Sequence, residues 1–255
     1  MMKRILFATD LDNTLLFSHR HRQPGDRCAE LWNGAEQGFF TPETVDLLPQ
    51  AARQVRLLPI TTRSIAQYQR IRWPAGALPR EALTANGAVL LRDGEIARDW
   101  YDQSWELVRA HQGALRDLLE RISAREDVTS ARIVENMYVY AACSDAAAAE
   151  RCAAAWAQDA PFQMEVSGRK VYWFPPGIDK GTALRRAAGR YRPERILCAG
   201  DSVIDVPMLR RADLAMIPDG TLLPALPAER TLVCQENVRF PDFVLRTVLA
   251  QAGPG

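Results

Sequence analysis

The run Phe7-Ala8-Thr9-Asp10-Leu11-Asp12-Asn13-Thr14-Leu15-Leu16 constrains this chain more than any other stretch. An apolar, strand-like segment from Ile5 to Ala8 ends in two carboxylates, Asp10 and Asp12, with a threonine two residues further on. Residues two apart in an extended chain point the same way and lie about 6.5–7 Å apart. One reacting centre therefore fits between the two acids. Paired carboxylates gathered at a strand end are unfavourable unless a cation or a reaction uses them, so the pair is read as catalytic.

Short apolar runs then alternate with helix-like segments, which is the pattern of a parallel sheet covered by helices. Lys3–Thr9, Val55–Thr61, Ala82–Ala85, Arg195–Ala199, Leu214–Ile217 and Thr231–Cys234 read as strands. Pro59 is awkward in the second of these because it donates nothing to a ladder. Thr41-Pro42-Glu43 opens a helix with an N-cap and a proline at the first helical position. Asp179 caps Lys180–Arg190, Ser64 and Asp205 begin shorter helices, and Val238–Leu249 is the terminal helix.

Residues 85–174 have a different texture. Arg92-Asp93-Gly94 signals a hairpin, an amphipathic helix is predicted over Ser104–Ser123, and Ile133–Ala142 alternates around a turn at Glu135-Asn136. An alanine-rich helix, Ser144–Ala157, and a closing hairpin, Phe162–Val166 with Lys170–Phe174, complete the unit. The expected fold is α/β: a doubly wound, Rossmann-like parallel sheet from 1–84 and 175–255, with an α+β unit from 85–174 inserted in it. The Gln23–Gly38 segment is expected to be a long polar loop in which Leu31 and Trp32 are buried.

Three later features give the acid pair its meaning. They are Thr61-Thr62-Arg63-Ser64 after the second strand, Asp179-Lys180-Gly181-Thr182 at a helix start, and Gly200-Asp201-Ser202-Val203-Ile204-Asp205 at a strand-to-helix turn. In an open α/β sheet all of them converge at the carboxyl ends of the strands. Phosphoryl transfer explains the combination. A carboxylate attacks phosphorus, and a second acid protonates the leaving oxygen and later activates water. A hydroxyl and an ammonium hold the phosphoryl oxygens. Two like charges about 4 Å apart repel by roughly 4 kcal/mol at an effective dielectric of 20. A hard cation, Mg²⁺, is therefore expected among the carboxylates.

Composition excludes little else. The charge balance is 32 basic against 31 acidic residues, net +1, so no global field recruits nucleic acid or an anionic membrane. The five cysteines are scattered without CxxC spacing, which argues against a disulfide framework or zinc site. No apolar stretch reaches membrane-spanning length, the opening segment is too short for a secretory signal, and a cytoplasmic protein, monomeric by slight preference, is expected.

These motifs resemble those of the haloacid dehalogenase superfamily of aspartate-nucleophile phosphatases. Asp10-Leu11-Asp12-Asn13-Thr14 is similar to its first motif, DxDxT; Thr61 matches the second, Lys180 the third, and Gly200-Asp201-(x)3-Asp205 the fourth. The resemblance implies Asp10 as nucleophile and Asp12 as general acid/base. It also implies a Mg²⁺ site from Asp10, the Asp12 main-chain carbonyl and Asp201, supported by Asp205. An insertion between Thr61 and Lys180 is where the Cof-like and sucrose-phosphatase-like branch carries its cap. Sucrose phosphatases, mannosylphosphoglycerate phosphatases and eukaryotic-type phosphomannomutases share that arrangement. Thr62 and Asn13 stand where that family more often has Gly. Arg63 and Asn86 are carried over as substrate contacts.

The function this implies is hydrolysis of a small phosphorylated metabolite, such as a sugar or polyol phosphate. Rivals are a phosphomutase, a nucleotide phosphatase and, without catalysis, a receiver-like phospho-acceptor domain. Two further groups stay open. His19 and His21 either touch substrate or lie in a polar loop; Arg169 and Lys170 either meet a phosphate or acidic group on the distal side of the substrate or form a solvated hairpin.

Overall fold

The computed structural model describes residues 4–156 and 161–253, so Lys3 and Ala157, the outer ends of two expected elements, lie outside the described residues. Among the described residues the strands form four sheets. The central one is parallel, in the order Thr231–Val233, Leu214–Ile217, Arg195–Ala199, Ile5–Thr9, Arg56–Pro59. Both faces are covered by helices, which is why its strands are apolar throughout rather than alternating. Leu6 and Ala8 pack in one layer with Leu184 and Met208, while Phe7 packs in the other with Leu48 and Val244. This is the period-two division of one strand between two cores. Pro59 is accommodated because its strand is the last in the sheet, where a missing N–H is tolerated.

Helix Pro42–Gln54 starts as its sequence demands: the Thr41 hydroxyl accepts from Thr44 N at 2.8 Å. It packs with the terminal helix Phe240–Ala252, whose buried Asp242 accepts from the hydroxyls of Thr41 and Thr44. No helix among the described residues is long and apolar enough to cross a membrane.

Glu81–Thr84 does not extend the parallel sheet as a regular strand. It touches that sheet through a single bridge, Ile60 to Leu83, and otherwise pairs antiparallel with Val89–Arg92, which pairs with Glu95–Ile96. The sequence expectation places the inserted unit's start at residue 85. Residues 85–108 pack against the body of the fold: Leu90, Ala97 and Trp100 share a cluster with Leu6, Leu58 and Leu184. Arg186 from the body donates to Ser104 Oγ and the Trp100 carbonyl, both at 2.9 Å.

The helix expected over Ser104–Ser123 is two helices, Arg98–Val108 and Gln112–Ser123, separated by a 3₁₀ turn. The break has a packing cause. Trp100, Ser104 and Val108 face the body, whereas Leu115, Leu118 and Ile122 face the four-stranded sheet Gln163–Ser167, Lys170–Phe174, Tyr138–Cys143, Val128–Val134. One straight helix cannot aim both stripes. On that antiparallel sheet Val139, Ala141, Val171 and Trp173 pack under the helices. The alternate residues Tyr138, Tyr140, Tyr172 and Phe174 form a connected aromatic face on the other side.

The Gln23–Gly38 segment is corrected most. It is a hairpin, Arg27–Trp32 with Ala35–Phe40, turning at Asn33 and Gly34 with φ of 49° and 79°. Trp32 is exposed and Leu31 only partly covered. The indole carries the Arg70 guanidinium at 4.3 Å instead of entering a core.

Candidate active site

Asp10 follows the central strand and is held there by its own backbone: its N–H donates to the Ala199 carbonyl at 2.9 Å. The chain then turns back on itself, with Leu15 N and Leu16 N both donating to the Leu11 carbonyl. Asn13 sits at the left-handed corner of this turn, φ 60°, a conformation asparagine accepts more readily than most residues. That answers the departure from glycine at this position.

Lys180 is the hub of the buried charges. It is the first residue of its helix, capped by Asp179, whose carboxylate accepts from Thr182 N at 2.8 Å. Its Nζ donates to Asp10 Oδ1 at 2.5 Å and to Asp205 Oδ1 at 2.6 Å, with the lysine side chain only 2% exposed. Two glycines let these groups meet. A Cβ at Gly181 would stand 2.3 Å from the Pro207 carbonyl oxygen, and one at Gly200 2.5 Å from Asp205 Cβ. Asp205 Oδ2 accepts from the N–H groups of Asp201 and Ser202 at 3.1 and 3.0 Å, tying the Gly200–Asp205 turn into a ring. Asp201 Oδ1 and Oδ2 face the hydroxyl of Thr14 at 3.3 Å and the amide of Asn13 at 3.4 Å. Oxygens of Asp10, Asp201 and Asp205 lie within 4.8 Å of one another.

The electrostatics fit a hard cation at this cluster. Burial is the main force holding the Asp10 carboxyl well above the ordinary range; Lys180 opposes it, and Asp205, Asp201 and Asp12 add to it. Asp201 is pushed up to about 6 by burial and by Asp205, against Lys180. The two partners hold the Lys180 ammonium above its usual range despite its burial. One ammonium serves three clustered carboxylates, so the set is deficient in positive charge and rich in oxygen donors, as Mg²⁺ sites are.

Asp12 is arranged differently. Arg63 holds it from two sides, Nε to Oδ2 at 2.9 Å and Nη2 to Oδ1 at 2.7 Å. Burial pulls this carboxyl up, but the charge and hydrogen bonds of Arg63 pull further, down to about 2. Arg63 also meets Glu30 at 2.9 Å, and Glu30 holds Arg70 at 2.8 Å. Glu30 is 3% exposed and was not among the residues singled out from sequence; the unrecognised Asn33-Gly34 hairpin signal was the way to find it.

Asp10, Asp12, Lys180 and Asp201 line one pocket together with Asn13, Thr62, Ser167, Lys170, Tyr172, Ser202 and Ile204. Thr61 stands behind this wall: it is fully buried, and its Oγ1 accepts from Arg63 N at 3.2 Å. Asn86 is not brought to the pocket. Its amide donates to the Ile178 carbonyl at 3.3 Å, and it occupies a left-handed run with Ala85 and Gly87, φ 51°, 57° and 90°. Its backbone geometry is the reason for an asparagine there. His19 and His21 form an exposed 3₁₀ turn outside the pocket, and Arg169 is exposed away from it, whereas Lys170 lines it.

An open parallel sheet with an antiparallel unit inserted in it is the fold that this chain shares with solved phosphatases and with a haloacid dehalogenase-like hydrolase. Three solved structures show the likeness over their whole length, each at 16% identity. The sucrose-phosphatase from Synechocystis sp. PCC6803, in complex with sucrose and phosphate, superposes with a TM-score of 0.60 over 99% of this chain and 98% of its own. The C-terminal domain of trehalose-6-phosphate phosphatase from C. albicans gives 0.60, over 99% and 93%. A haloacid dehalogenase-like hydrolase from B. subtilis gives 0.57, over 95% and 99%. No protein-family model and no curated protein matches the sequence, so the likeness is one of fold.

Proposed function

We propose that the chain is a Mg²⁺-dependent phosphomonoesterase acting on a small phosphorylated metabolite through an aspartyl-phosphate. The observation that carries this reading is the meeting of Asp10, Asp12, Lys180 and Asp201 in one pocket, with the buried Asp205 behind them on Lys180. In this reading an Asp10 carboxylate oxygen forms a bond to phosphorus while the ester oxygen leaves. Asp12 gives that oxygen its proton, then takes a proton from the water that cleaves the acyl phosphate. Lys180 and Thr62, which line the pocket, face the phosphoryl oxygens, with Thr61 supporting the turn from behind. Mg²⁺, held by Asp10, Asp201 and the Asp12 carbonyl with Asp205 beside them, would supply the positive charge that lets one anion approach another.

In the arrangement described above, Asp12 is ionised and holds no proton to give. It takes up the acid role when Arg63 lets go. Arg63 keeps Glu30 as a carboxylate partner after leaving Asp12, and the half-exposed Asp12 carboxylate then takes its proton from water.

We take the catalytic body as residues 1–108 with 175–255 and the cap as 109–174, moving the boundary from residue 85 because 85–108 pack on the body. Two hydrogen bonds support a cap that closes over the pocket: Tyr138 Oη to the Thr62 carbonyl at 2.6 Å, and Ile65 N to Glu135 Oε1 at 3.0 Å. Neighbours that act on trehalose 6-phosphate or bind sucrose with phosphate support a sugar phosphate as substrate.

The test is phosphate release from a panel of sugar phosphates, polyol phosphates and nucleotides, with Mg²⁺ and with EDTA. Turnover that EDTA abolishes is expected. A long-lived phosphoprotein without turnover would instead support the receiver-like reading, and isomerised hexose phosphate without release the mutase.

Metal linkage gives a second measurement. The raised Asp201 carboxyl binds a proton more tightly folded than unfolded, so its contribution to stability is present below about 4 and is lost as pH rises through about 6. Mg²⁺ at a hundredfold excess over its Kd is expected to raise Tm by roughly 5–10 °C at pH 7.5 and by much less at pH 5, where protons compete. Equal shifts at both pH values would place the ion elsewhere.

A further inference from the structure

Beside the phosphoryl pocket lies a cavity of about 580 Å³, and the two share Asp12, Thr62, Lys170 and Tyr172. A leaving group bonded to a phosphoryl at Asp10 has this space to enter. Its charged lining consists of Asp12, Glu30, Arg63, Arg70, Arg132 and Lys170. Both carboxylates are already engaged: Asp12 by Arg63, and Glu30 by Arg63 and Arg70. Arg132 and Lys170 have no carboxylate at ion-pair distance among the described residues, and Arg132 rests only on the Tyr140 ring at 4.7 Å.

The sheet register sets these two cations apart. Arg132, Tyr140 and Tyr172 sit opposite one another across three strands, and Lys170 is two residues from Tyr172 on the same face. The Cα atoms of Arg132 and Lys170 are therefore roughly 12 Å apart. Lys170 stands at the junction with the phosphoryl pocket and Arg132 lines the large cavity alone. The wall between them is aromatic, with Tyr138, Tyr140 and Tyr172. Both side chains are exposed, and a neutral leaving group in this cavity would leave them with water as their only polar partner. An anionic leaving group would meet them in charge-assisted contacts, the stronger kind of hydrogen bond.

We propose that this cavity selects phosphate esters whose leaving group carries a second anion, a carboxylate or a phosphate, with Arg132 as its far-end partner and Lys170 beside the reacting centre. The assignment rests on the phosphatase reading and narrows its substrate class. Lys170 also faces the phosphoryl pocket, so Arg132 is the residue that isolates the effect.

The test uses matched pairs that differ in the second anion alone: 6-phosphogluconate against glucitol 6-phosphate for a carboxylate, and fructose 1,6-bisphosphate against fructose 6-phosphate for a phosphate. In at least one pair kcat/KM is expected to favour the doubly anionic member by at least about 10-fold. The preferred pair tells which anion the cavity takes. Arg132→Gln is expected to bring the two members of that pair to within about twofold of each other, with Arg132→Lys recovering part of the preference. Release from the neutral members at equal or higher kcat/KM in both pairs would overturn the second-anion site and leave the phosphatase reading standing. A preference that Arg132→Gln leaves intact would overturn the role of Arg132. No release from any of the four, with Mg²⁺ present, would overturn the second-anion site, and the phosphatase reading would fall with it if the wider panel also released none.

Discussion

Asp10→Asn is expected to lower kcat for phosphate release by about 10⁴–10⁶-fold, the range seen when a nucleophile is removed from a site that otherwise stays assembled. The fold is expected to persist, and the reason lies in the charge balance around Lys180. Burial and the neighbouring acids already disfavour the ionised form of Asp10, so replacing the carboxylate by an amide of the same shape removes a strained charge. Lys180 keeps Asp205 as its partner at 2.6 Å. A melting temperature within a few degrees of the parent, with activity gone, is the expected pair of observations. Asp12→Asn supplies the contrast. Loss of a general acid is worth about 10²–10⁴-fold, and the loss should be smallest on 4-nitrophenyl phosphate, whose leaving group needs little protonation. Asp10→Asn should lose both substrates alike. Turnover by Asp10→Asn within tenfold of the parent would remove Asp10 as nucleophile.

Much of this arrangement was legible before any coordinates. The strands ending at Thr9 and Ala199 read as apolar runs because both faces of each are buried. The caps Thr41 and Asp179 are local, requiring only a side chain and an N–H three residues on. The convergence of Asp10, Lys180 and Asp201 followed from strand ends sharing one edge of a parallel sheet. What was missed depends on other physics. Register shifts between Cys28, Glu30 and Leu31 break the period-two alternation of the Arg27–Trp32 strand, so the hairpin that supplies Glu30 reads as polar loop. The helix break after Val108 is set by two different packing partners, neither of which is sequence-local. Asn86 carries a signal that the structure answers with a left-handed backbone and a bond to the Ile178 carbonyl. Lys170 reaches the pocket because the inserted sheet folds its polar-aromatic face over the body, a tertiary event that spacing within one hairpin does not record.

Lys180→Met is expected to show the largest loss of stability, about 3–5 kcal/mol at pH 7.5, the usual consequence of removing one partner from a buried ion pair. The methionine side chain fills similar space, so the cavity contribution is small and the effect is electrostatic. Asp10 and Asp205 would then face each other with no cation between them and with Asp201 close by. Their escape is to bind protons. Without Lys180, which lowers the Asp10 pKa in the parent, the folded variant holds protons to higher pH than the parent does. Its stability must therefore fall more steeply with rising pH, and the gap between the two proteins should narrow from pH 7.5 to pH 5. Removing a second charge should act in the same direction: Lys180→Met combined with Asp205→Asn is expected to melt higher than Lys180→Met alone, though neither recovers turnover. Chemical denaturation at the two pH values measures all of this. If Lys180→Met matched the parent at pH 7.5, the ammonium would not be neutralising buried carboxylates, and the site would have to be built on some other balance of charge.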